Sequence, residues 1–119
     1  MIPKLLIVDD ESDTREFARS FFKKRGIEVL TASGGRQALE IIGKENPDLV
    51  LLDVRMEEMT GIEALRQLRK TNTHTKVIIV TGVEEEAVQE AHGLGVISCI
   101  HKPLILEELE QIVLAQIQR

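Results

Sequence analysis

The sequence predicts an α/β protein whose five-stranded parallel sheet is doubly wound between two layers of helices. Five short runs of β-branched and aliphatic residues alternate with segments of helical periodicity along the 119-residue chain. Two of these runs, LVLL and VIIV, are apolar at every position, as expected of strands that are buried on both faces. Because strand and helix alternate strictly, we expect right-handed crossovers and a three-layer (βα)5 sandwich.

The predicted strands are short, and a polar residue follows each of them. Their ranges are Leu5–Val8, Val29–Ala32, Leu49–Leu52, Val77–Val80 and, with a weaker pattern, Val96–Ile100. Aliphatic runs of this length that stop at polar or turn-forming residues are typical of strands.

The first helical segment shows helical periodicity in its apolar residues. Phe17 pairs with Phe21, and Ala18 pairs with Phe22, at a spacing of four residues. The basic sequence KKR then complements the negative end of the helix, and Gly26 is predicted to close it as the C′ residue.

The remaining helices begin and end at recognisable signals. The second is predicted at about residues 35–45, and the sequence NP breaks it before the third strand. Its inward-facing residues are predicted to be Ala38, Leu39, Ile41 and Ile42. A capping box of Thr60 and Glu63 begins the third helix, and three acids, Glu84–Glu86, suit the N-terminus of the fourth. The fifth lacks a good N-cap, since Ile105 stands where Ser or Asp is preferred.

Composition narrows the class of protein. The net charge is −5, from fifteen basic and twenty acidic residues, which argues against nucleic acid as the main partner. The single cysteine, Cys99, allows no internal disulfide and favours a reducing compartment. No apolar run approaches the roughly 20 residues of a membrane span, and no secretory signal precedes the first strand. These features predict a single cytoplasmic domain with no membrane partner.

Functional residue types collect at the carboxyl ends of the predicted strands, the edge where open α/β sheets bind ligands. In chain order they are Asp9, Asp10, Asp53, Thr81, Lys102 and Pro103. The three aspartates are expected to lie within a few ångströms of one another, so their charges repel unless a cation joins them. Mg²⁺ suits such an all-oxygen site, because it binds one or two carboxylates, keeps several waters and accepts a phosphate oxygen. Mn²⁺ is an alternative.

This set of residues predicts metal-assisted acceptance of a phosphoryl group. A carboxylate beside a divalent ion can act as a nucleophile and form an aspartyl-phosphate. A lysine and a hydroxyl supply a point charge and a hydrogen bond for the phosphoryl oxygens. Taken singly, an aspartate or a threonine at a strand end is more often a turn or cap residue. Their coincidence at one edge of the sheet favours the functional interpretation.

The motifs that carry these residues resemble those of the receiver domains of bacterial two-component response regulators, a chemotaxis-regulator-like, flavodoxin-like group. They are LLIVDDE at 5–11, LVLLDVRM at 49–56, the VIIVTG run that carries Thr81, and HKPL at 101–104. The resemblance spans nearly the whole chain and implies one receiver domain over residues 1–119. It implies a phospho-accepting switch and not an enzyme.

The resemblance also implies a role for each acidic residue. Asp53 would be the phospho-acceptor. Asp10 and Asp53 would bind Mg²⁺ directly, together with the backbone carbonyl of Arg55, and Asp9 would act through a bound water.

Further roles follow for the opposite side of the site. Thr81 would reach towards the attached phosphoryl group, and Lys102 would pair with it. In the family the lysine–proline peptide is commonly cis, so a cis Lys102–Pro103 bond is expected. The family usually has Tyr or Phe three residues before the lysine as a conformational switch. This chain has Cys99 there, and we expect a small buried residue with weaker or rerouted coupling.

The loop after the acceptor also departs from the family pattern, which reads close to MPGMDG. Here it is MEEMTG, with one proline lost and two acids gained, so we expect a less rigid loop that repels anions. Arg55 either leans over the phosphoryl group, pairs with Glu57 or Glu58, or is simply solvated. Thr60 replaces a frequent aspartate but can still cap the helix.

The implied partners are a sensor histidine kinase or phosphotransfer protein and a downstream output domain or protein. The signal would pass through the face of the fourth helix, fifth strand and fifth helix, with a homodimer through that face as one option. Two other hypotheses stay open: a small Mg²⁺-dependent phosphohydrolase with an aspartate nucleophile, and a scaffold that is not phosphorylated. The sequence does not decide between a stand-alone regulator and part of a longer protein.

Overall fold

Strands and helices alternate along the chain in a computed structural model that describes residues 2–82 and 85–117. The elements are β1 Lys4–Val8, α1 Ser12–Lys23, β2 Glu28–Ala32, α2 Gly35–Glu45, β3 Leu49–Asp53, α3 Gly61–Thr71, β4 Val77–Thr81, α4 Glu85–Gly93, β5 Ser98–His101 and α5 Leu106–Gln116. The strands form one sheet in the order β2-β1-β3-β4-β5, and every neighbouring pair is parallel. The predicted five-stranded, doubly wound fold is confirmed.

The sheet lies between two apolar clusters, one on each face. Side chains along β3 alternate between them: Leu49 and Leu51 pack with α1 and α5, whereas Val50 and Leu52 pack with α2 and α3. Phe22 of α1 is fully buried in the first cluster. Truncating such a side chain to alanine typically costs about 3–5 kcal/mol of stability. This packing holds β1, β3 and β4 in register, so that their carboxyl ends meet at one edge.

The fifth strand begins two residues later than the sequence predicts. The N–H of Val96 donates to Ala91 O at 3.3 Å and closes the end of α4, after a turn in which Gly95 has a φ of +78°. That N–H is therefore used by the helix, and Ile97 makes the first bond to β4, through its N–H to Val77 O at 2.9 Å. The predicted start at Val96 is wrong because the helix end competes for the same backbone group.

Helix ends agree with the sequence in two places and differ in one. Thr60 Oγ1 accepts the Glu63 N–H at 3.1 Å, and Glu63 Oε1 accepts the Thr60 N–H at 3.3 Å, so the predicted capping box is present. Ile105 precedes α5 without a side-chain cap, as predicted. The C-cap of α1 is Lys24, so the C′ residue is Arg25, and Gly26, with a φ of +80°, lies one residue after the C′ position predicted for it.

The remaining helix predictions concern α2, α4 and membrane spans. In α2, Ala38 and Ile42 are buried, and the other two predicted inward residues are half-buried. The predicted start of α4 includes Glu84, which lies outside the described residues.

Within 2–82 and 85–117, no helix has the length and apolar character to cross a membrane.

Candidate functional site

Asp9, Asp10 and Asp53 meet at the carboxyl edge of the sheet. Each offers one carboxylate oxygen to a group whose members all lie within 4.8 Å of one another. Asp53 is the last residue of β3, and Asp9 directly follows β1, which pairs with β3. Asp9 and Asp53 are only 6% and 3% exposed, whereas Asp10 is exposed. The predicted convergence of three carboxylates is confirmed.

Burial and charge act together on Asp9. Loss of hydration is the largest effect and raises the pKa of Asp9; the Glu11 N–H, which donates to Asp9 Oδ1 at 2.9 Å, opposes it, and the charge of Asp53 raises the pKa further. The net result is a raised pKa. A carboxylate with a raised pKa beside another carboxylate gains most from a cation that neutralises both.

Lys102 supplies a positive charge on the opposite side of the cluster. Its Nζ donates to Asp53 Oδ2 at 3.1 Å. Burial disfavours the charged ammonium, but the hydrogen bond and the charges of Asp53, Asp9 and Glu11 outweigh it and raise the pKa of Lys102. The Lys102–Pro103 peptide bond is cis, as expected.

Thr81 is the last residue of β4, the strand that pairs with the Asp53-bearing strand β3. β3 and β4 pair so that Asp53 is opposite Val80, which places Thr81 one residue further along β4 than the partner of Asp53. Thr81 is fully buried, and its carbonyl accepts the Lys102 N–H at 2.8 Å. The backbone therefore ties this threonine to the lysine of the site.

A cleft of about 730 Å³ opens over the acidic residues. The residues that line it are Asp10, Glu11, Asp53, Val54, Arg55, Met56, Glu57, Thr60 and Lys102. The backbone N–H of Arg55 donates to Asp53 Oδ1 at 3.2 Å, so Lys102 and Arg55 each hold one oxygen of the same carboxylate. The carboxylate of Asp53 is therefore held from two sides at the wall of an open cleft.

This donor set fits a hard divalent cation. The three clustered ligand groups are all carboxylates, and Mg²⁺ and Mn²⁺ prefer oxygen ligands. Two of the groups are buried next to each other, where like charges are costly without a counter-ion.

A family model described as "Response regulator receiver domain" matches residues 5–114. The chain belongs to this family. It is a receiver domain, the signalling switch of two-component response regulators, and receiver domains bind Mg²⁺ at an acidic pocket of the kind formed here.

Individual relatives support the same conclusion. Regulatory protein AtoC of Escherichia coli (strain K12) is 41% identical over 118 residues, which cover 98% of this chain and 26% of AtoC. Sporulation initiation phosphotransferase F of Bacillus subtilis (strain 168) is 39% identical over 114 residues, covering 95% of this chain and 92% of that protein. Among solved structures, Vibrio cholerae chemotaxis protein CheY4 has a TM-score of 0.88 at 29% identity, covering 98% and 99% of the two chains. The receiver domain therefore spans about a quarter of one relative and nearly all of another.

The MEEMTG loop of this receiver domain is anchored by its two methionines. Met56 is buried, and Met59 lies against Gly35 at the start of α2, where an added Cβ would be 2.8 Å from Met59 Sδ. The two acids are exposed, and Glu58 lies near Gly34. The two acids thus face solvent, while Met56 is buried in the core and Met59 holds the loop against α2.

Cys99 occupies β5 opposite Ile79 and is half-buried. Its Sγ lies 3.9 Å from His92 Nε2 on α4, and burial raises the pKa of its thiol. A thiol of this kind is a poor nucleophile at neutral pH. The residue was predicted to be buried, and it is only half-buried, with its side chain packed against the core cluster of α2, α3 and α4. His101 is exposed beside Lys102.

Sequence reasoning missed two residues that shape this receiver domain. Arg15 of α1 donates to the backbone oxygen of Asp9 at 2.8 Å. Gly61 lies against the backbone of Asp53, with an ideal Cβ only 2.2 Å from Asp53 O. The glycine that ends the MEEMTG loop could have signalled a close backbone approach, but nothing in the pattern of α1 distinguishes Arg15 from the other surface arginines.

Proposed function

We propose that Asp53 is the phospho-acceptor of this receiver domain. The observation that supports this most is the environment of its carboxylate, which is buried, held by Lys102 Nζ and the Arg55 N–H, and adjacent to two further aspartates. In the transfer, a carboxylate oxygen of Asp53 attacks phosphorus. An O–P bond forms, the P–N bond to the donor histidine breaks, and the released imidazole nitrogen takes a proton from solvent.

A bound Mg²⁺, replaceable by Mn²⁺, would neutralise negative charge on the incoming phosphoryl oxygens. Asp10 and Asp53 would bind the cation directly, together with the carbonyl oxygen of Arg55, and Asp9 would act through a water. Asp10 and Asp53 line the cleft and Asp9 does not, which supports this division.

Two residues on the other side would stabilise the phosphorylated form. Lys102 already contacts Asp53, so its ammonium would pair with a phosphoryl oxygen after transfer. Thr81 would donate its hydroxyl to the same group, which would shift the end of β4. Pro103 follows in the cis bond that leads to the exposed start of α5.

The output would be a change in the α4-β5-α5 face. Cys99 lies on β5 between these helices and contacts α4 through His92. Because a thiol is far smaller than an aromatic ring, the coupling from Thr81 would depend on packing along β4 and β5. The same face would bind a downstream domain or protein, or a second copy of the chain.

The upstream partner would be a sensor histidine kinase or a phosphotransfer protein in the cytoplasm, with no direct role for nucleic acid or membrane. One relative is named as a phosphotransferase, and this chain is proposed to take part in such a relay as a switch and not as an enzyme that turns over free substrates.

The test is uptake of phosphate from a small acyl-phosphate donor in the presence of Mg²⁺, followed by intact mass. Wild type should gain one phosphoryl group, and Asp53→Asn should gain none. Uptake that survives in Asp53→Asn contradicts the assignment of the acceptor. No uptake by wild type favours a scaffold, and rapid turnover of unrelated phosphate esters favours a phosphohydrolase.

A further inference from the structure

Asp9 is held by contacts from three different parts of the chain. Its N–H donates to Ala32 O of β2 at 3.1 Å, and its carboxylate accepts the Glu11 N–H at 2.9 Å. Its carbonyl oxygen accepts Nη1 of Arg15, one turn into α1, at 2.8 Å. The sheet, the β1–α1 turn and helix α1 therefore meet on one residue.

The contact from Arg15 acts on the peptide unit that joins Asp9 to Asp10. A peptide unit is planar, so fixing its carbonyl oxygen also fixes the direction of the N–H and Cα of the next residue. Asp10 is exposed and lies two residues beyond the end of β1 at Val8. The direction in which Asp10 enters the acidic cluster thus depends on the orientation of this single peptide.

Arg15 is well suited to hold it. The residue is half-buried on α1, and a hydrogen bond from a charged guanidinium is stronger and shorter than one between neutral groups. The rigid, planar guanidinium also loses little freedom when it forms the contact.

We propose that Arg15 is a positioning residue for the divalent cation, and that it acts by fixing the Asp9–Asp10 peptide so that both carboxylates face the cation site. This inference rests on the proposed cation-dependent function of the acidic cluster. Arg15 does not touch the cation or the phosphoryl group in this account.

The two effects that Arg15 can have on a cation differ in sign, which makes the proposal testable. If Arg15 acted only through its positive charge, removing it would tighten cation binding. If it acts through the carbonyl of Asp9, removing it weakens binding, as loss of an outer-shell hydrogen bond does at other metal sites.

The experiment is a titration with Mn²⁺ alone, read by the electron paramagnetic resonance of the free ion, on wild type, Arg15→Met, Arg15→Ala and Arg15→Lys. Arg15→Met keeps the apolar stem and removes the donor. We expect it and Arg15→Ala to bind Mn²⁺ about tenfold more weakly, with partial recovery in Arg15→Lys. The matched control is Arg19→Ala, because Arg19 is exposed one turn further along α1 and pairs with Glu16; it should bind as wild type does.

Two further measurements separate positioning from folding. Urea unfolding in EDTA, followed by far-ultraviolet circular dichroism, checks that the variants fold without metal. The rate of phosphorylation at saturating Mg²⁺ should stay near that of wild type, while the Mg²⁺ concentration for half the maximal rate should rise about tenfold.

The outcomes are distinct. Mn²⁺ binding by Arg15→Met that equals or exceeds that of wild type overturns the proposal and leaves the proposed function standing. Equal weakening in Arg19→Ala overturns it as well. If both Arg15→Met and Arg15→Ala are unfolded in EDTA, Arg15 supports the fold and not the site. If wild type itself binds no Mn²⁺, the proposed cation site fails first, and the inference fails with it.

Discussion

Gly61 and Asp53 are in backbone contact: a Cβ at residue 61 would lie 2.2 Å from the carbonyl oxygen of Asp53. The N–H of Gly61 donates to Val54 O at 2.9 Å, so the first residue of α3 holds the MEEMTG loop closed against the end of β3. The close approach leaves room only for a hydrogen atom.

Gly61→Ala should therefore displace the end of β3, which carries Asp53. Overpacking of this kind costs about 1–3 kcal/mol of unfolding free energy, and the shift should also weaken Mn²⁺ binding. Urea unfolding followed by circular dichroism measures the first effect, since the chain has no Trp or Tyr for fluorescence. Gly43→Ala is the control: Gly43 has no atom within 4 Å of its ideal Cβ, and a helix should gain about 0.5–1 kcal/mol there. Equal behaviour of the two variants would contradict the steric explanation.

Asp9→Asn should stabilise the metal-free protein at neutral pH. The pKa of Asp9 is raised by burial and then by the charge of Asp53, against the opposing Glu11 N–H. The folded state thus binds a proton more tightly than the unfolded chain, and ionised Asp9 lowers stability above its folded pKa. That loss disappears as the pH falls below the ordinary value of 3.8. The difference in unfolding free energy between Asp9→Asn and wild type should therefore shrink from pH 7 towards pH 4. Urea unfolding at several pH values measures this trend.

Two controls belong to the Asp9 experiment. Glu40→Gln, on the exposed side of α2, should not reproduce the pH-dependent gain. At the same Mg²⁺ concentration, wild type should be stabilised more than Asp9→Asn, because the stabilisation grows with the logarithm of one plus the ratio of Mg²⁺ concentration to Kd, and the Asn variant should bind the ion more weakly. A gain from Asn that is independent of pH would contradict the role assigned to ionised Asp9.

Lys102→Met should raise cation affinity and lower phosphorylation. The ammonium lies 3.1 Å from Asp53 Oδ2, where it competes with a cation for the same carboxylate. Its removal should tighten Mn²⁺ binding roughly threefold to tenfold, as expected for one charge at a partly solvated site. The phosphorylated form should become harder to reach, since its oxygens lose their cationic partner. Lys102→Arg keeps the positive charge, so its Mn²⁺ affinity should stay close to that of wild type and below that of Lys102→Met. If both variants bound Mn²⁺ more tightly than wild type, the cause would be steric and not the lost charge.

Thr60→Ala should destabilise the protein through α3 without changing the chemistry of Asp53. The threonine hydroxyl accepts the Glu63 N–H at 3.1 Å, and loss of an N-cap costs about 1 kcal/mol. Thr73→Ala, at an exposed position between α3 and β4, is the matched control and should change stability little. Urea midpoints compare the two, and Mn²⁺ affinity should stay near that of wild type in both. A large loss of Mn²⁺ affinity in Thr60→Ala would show that the cap also shapes the site.

The sequence by itself determined the layers of the fold and the composition of the site edge. Continuous apolar runs such as Leu49–Leu52 are typical of strands buried on both faces, and their alternation with helical segments predicts a helix layer on each side of the sheet. Parallel strands all end at the same edge, so Asp53 and Lys102 could be placed together without coordinates. The capping box of Thr60 and Glu63 was also predictable, because both partners lie within one turn of chain.

The tertiary structure decided the features that depend on distance or on competition for a backbone group. Arg15 contacts Asp9 only because α1 folds back over the end of β1. The approach of Gly61 to Asp53 depends on how tightly the acceptor loop closes, and Val96 was lost from β5 because α4 uses its N–H. Local periodicity shows which face of a helix or strand is buried. Which residues of two elements then touch is decided by how their side chains pack together, and this cannot be read from either segment alone.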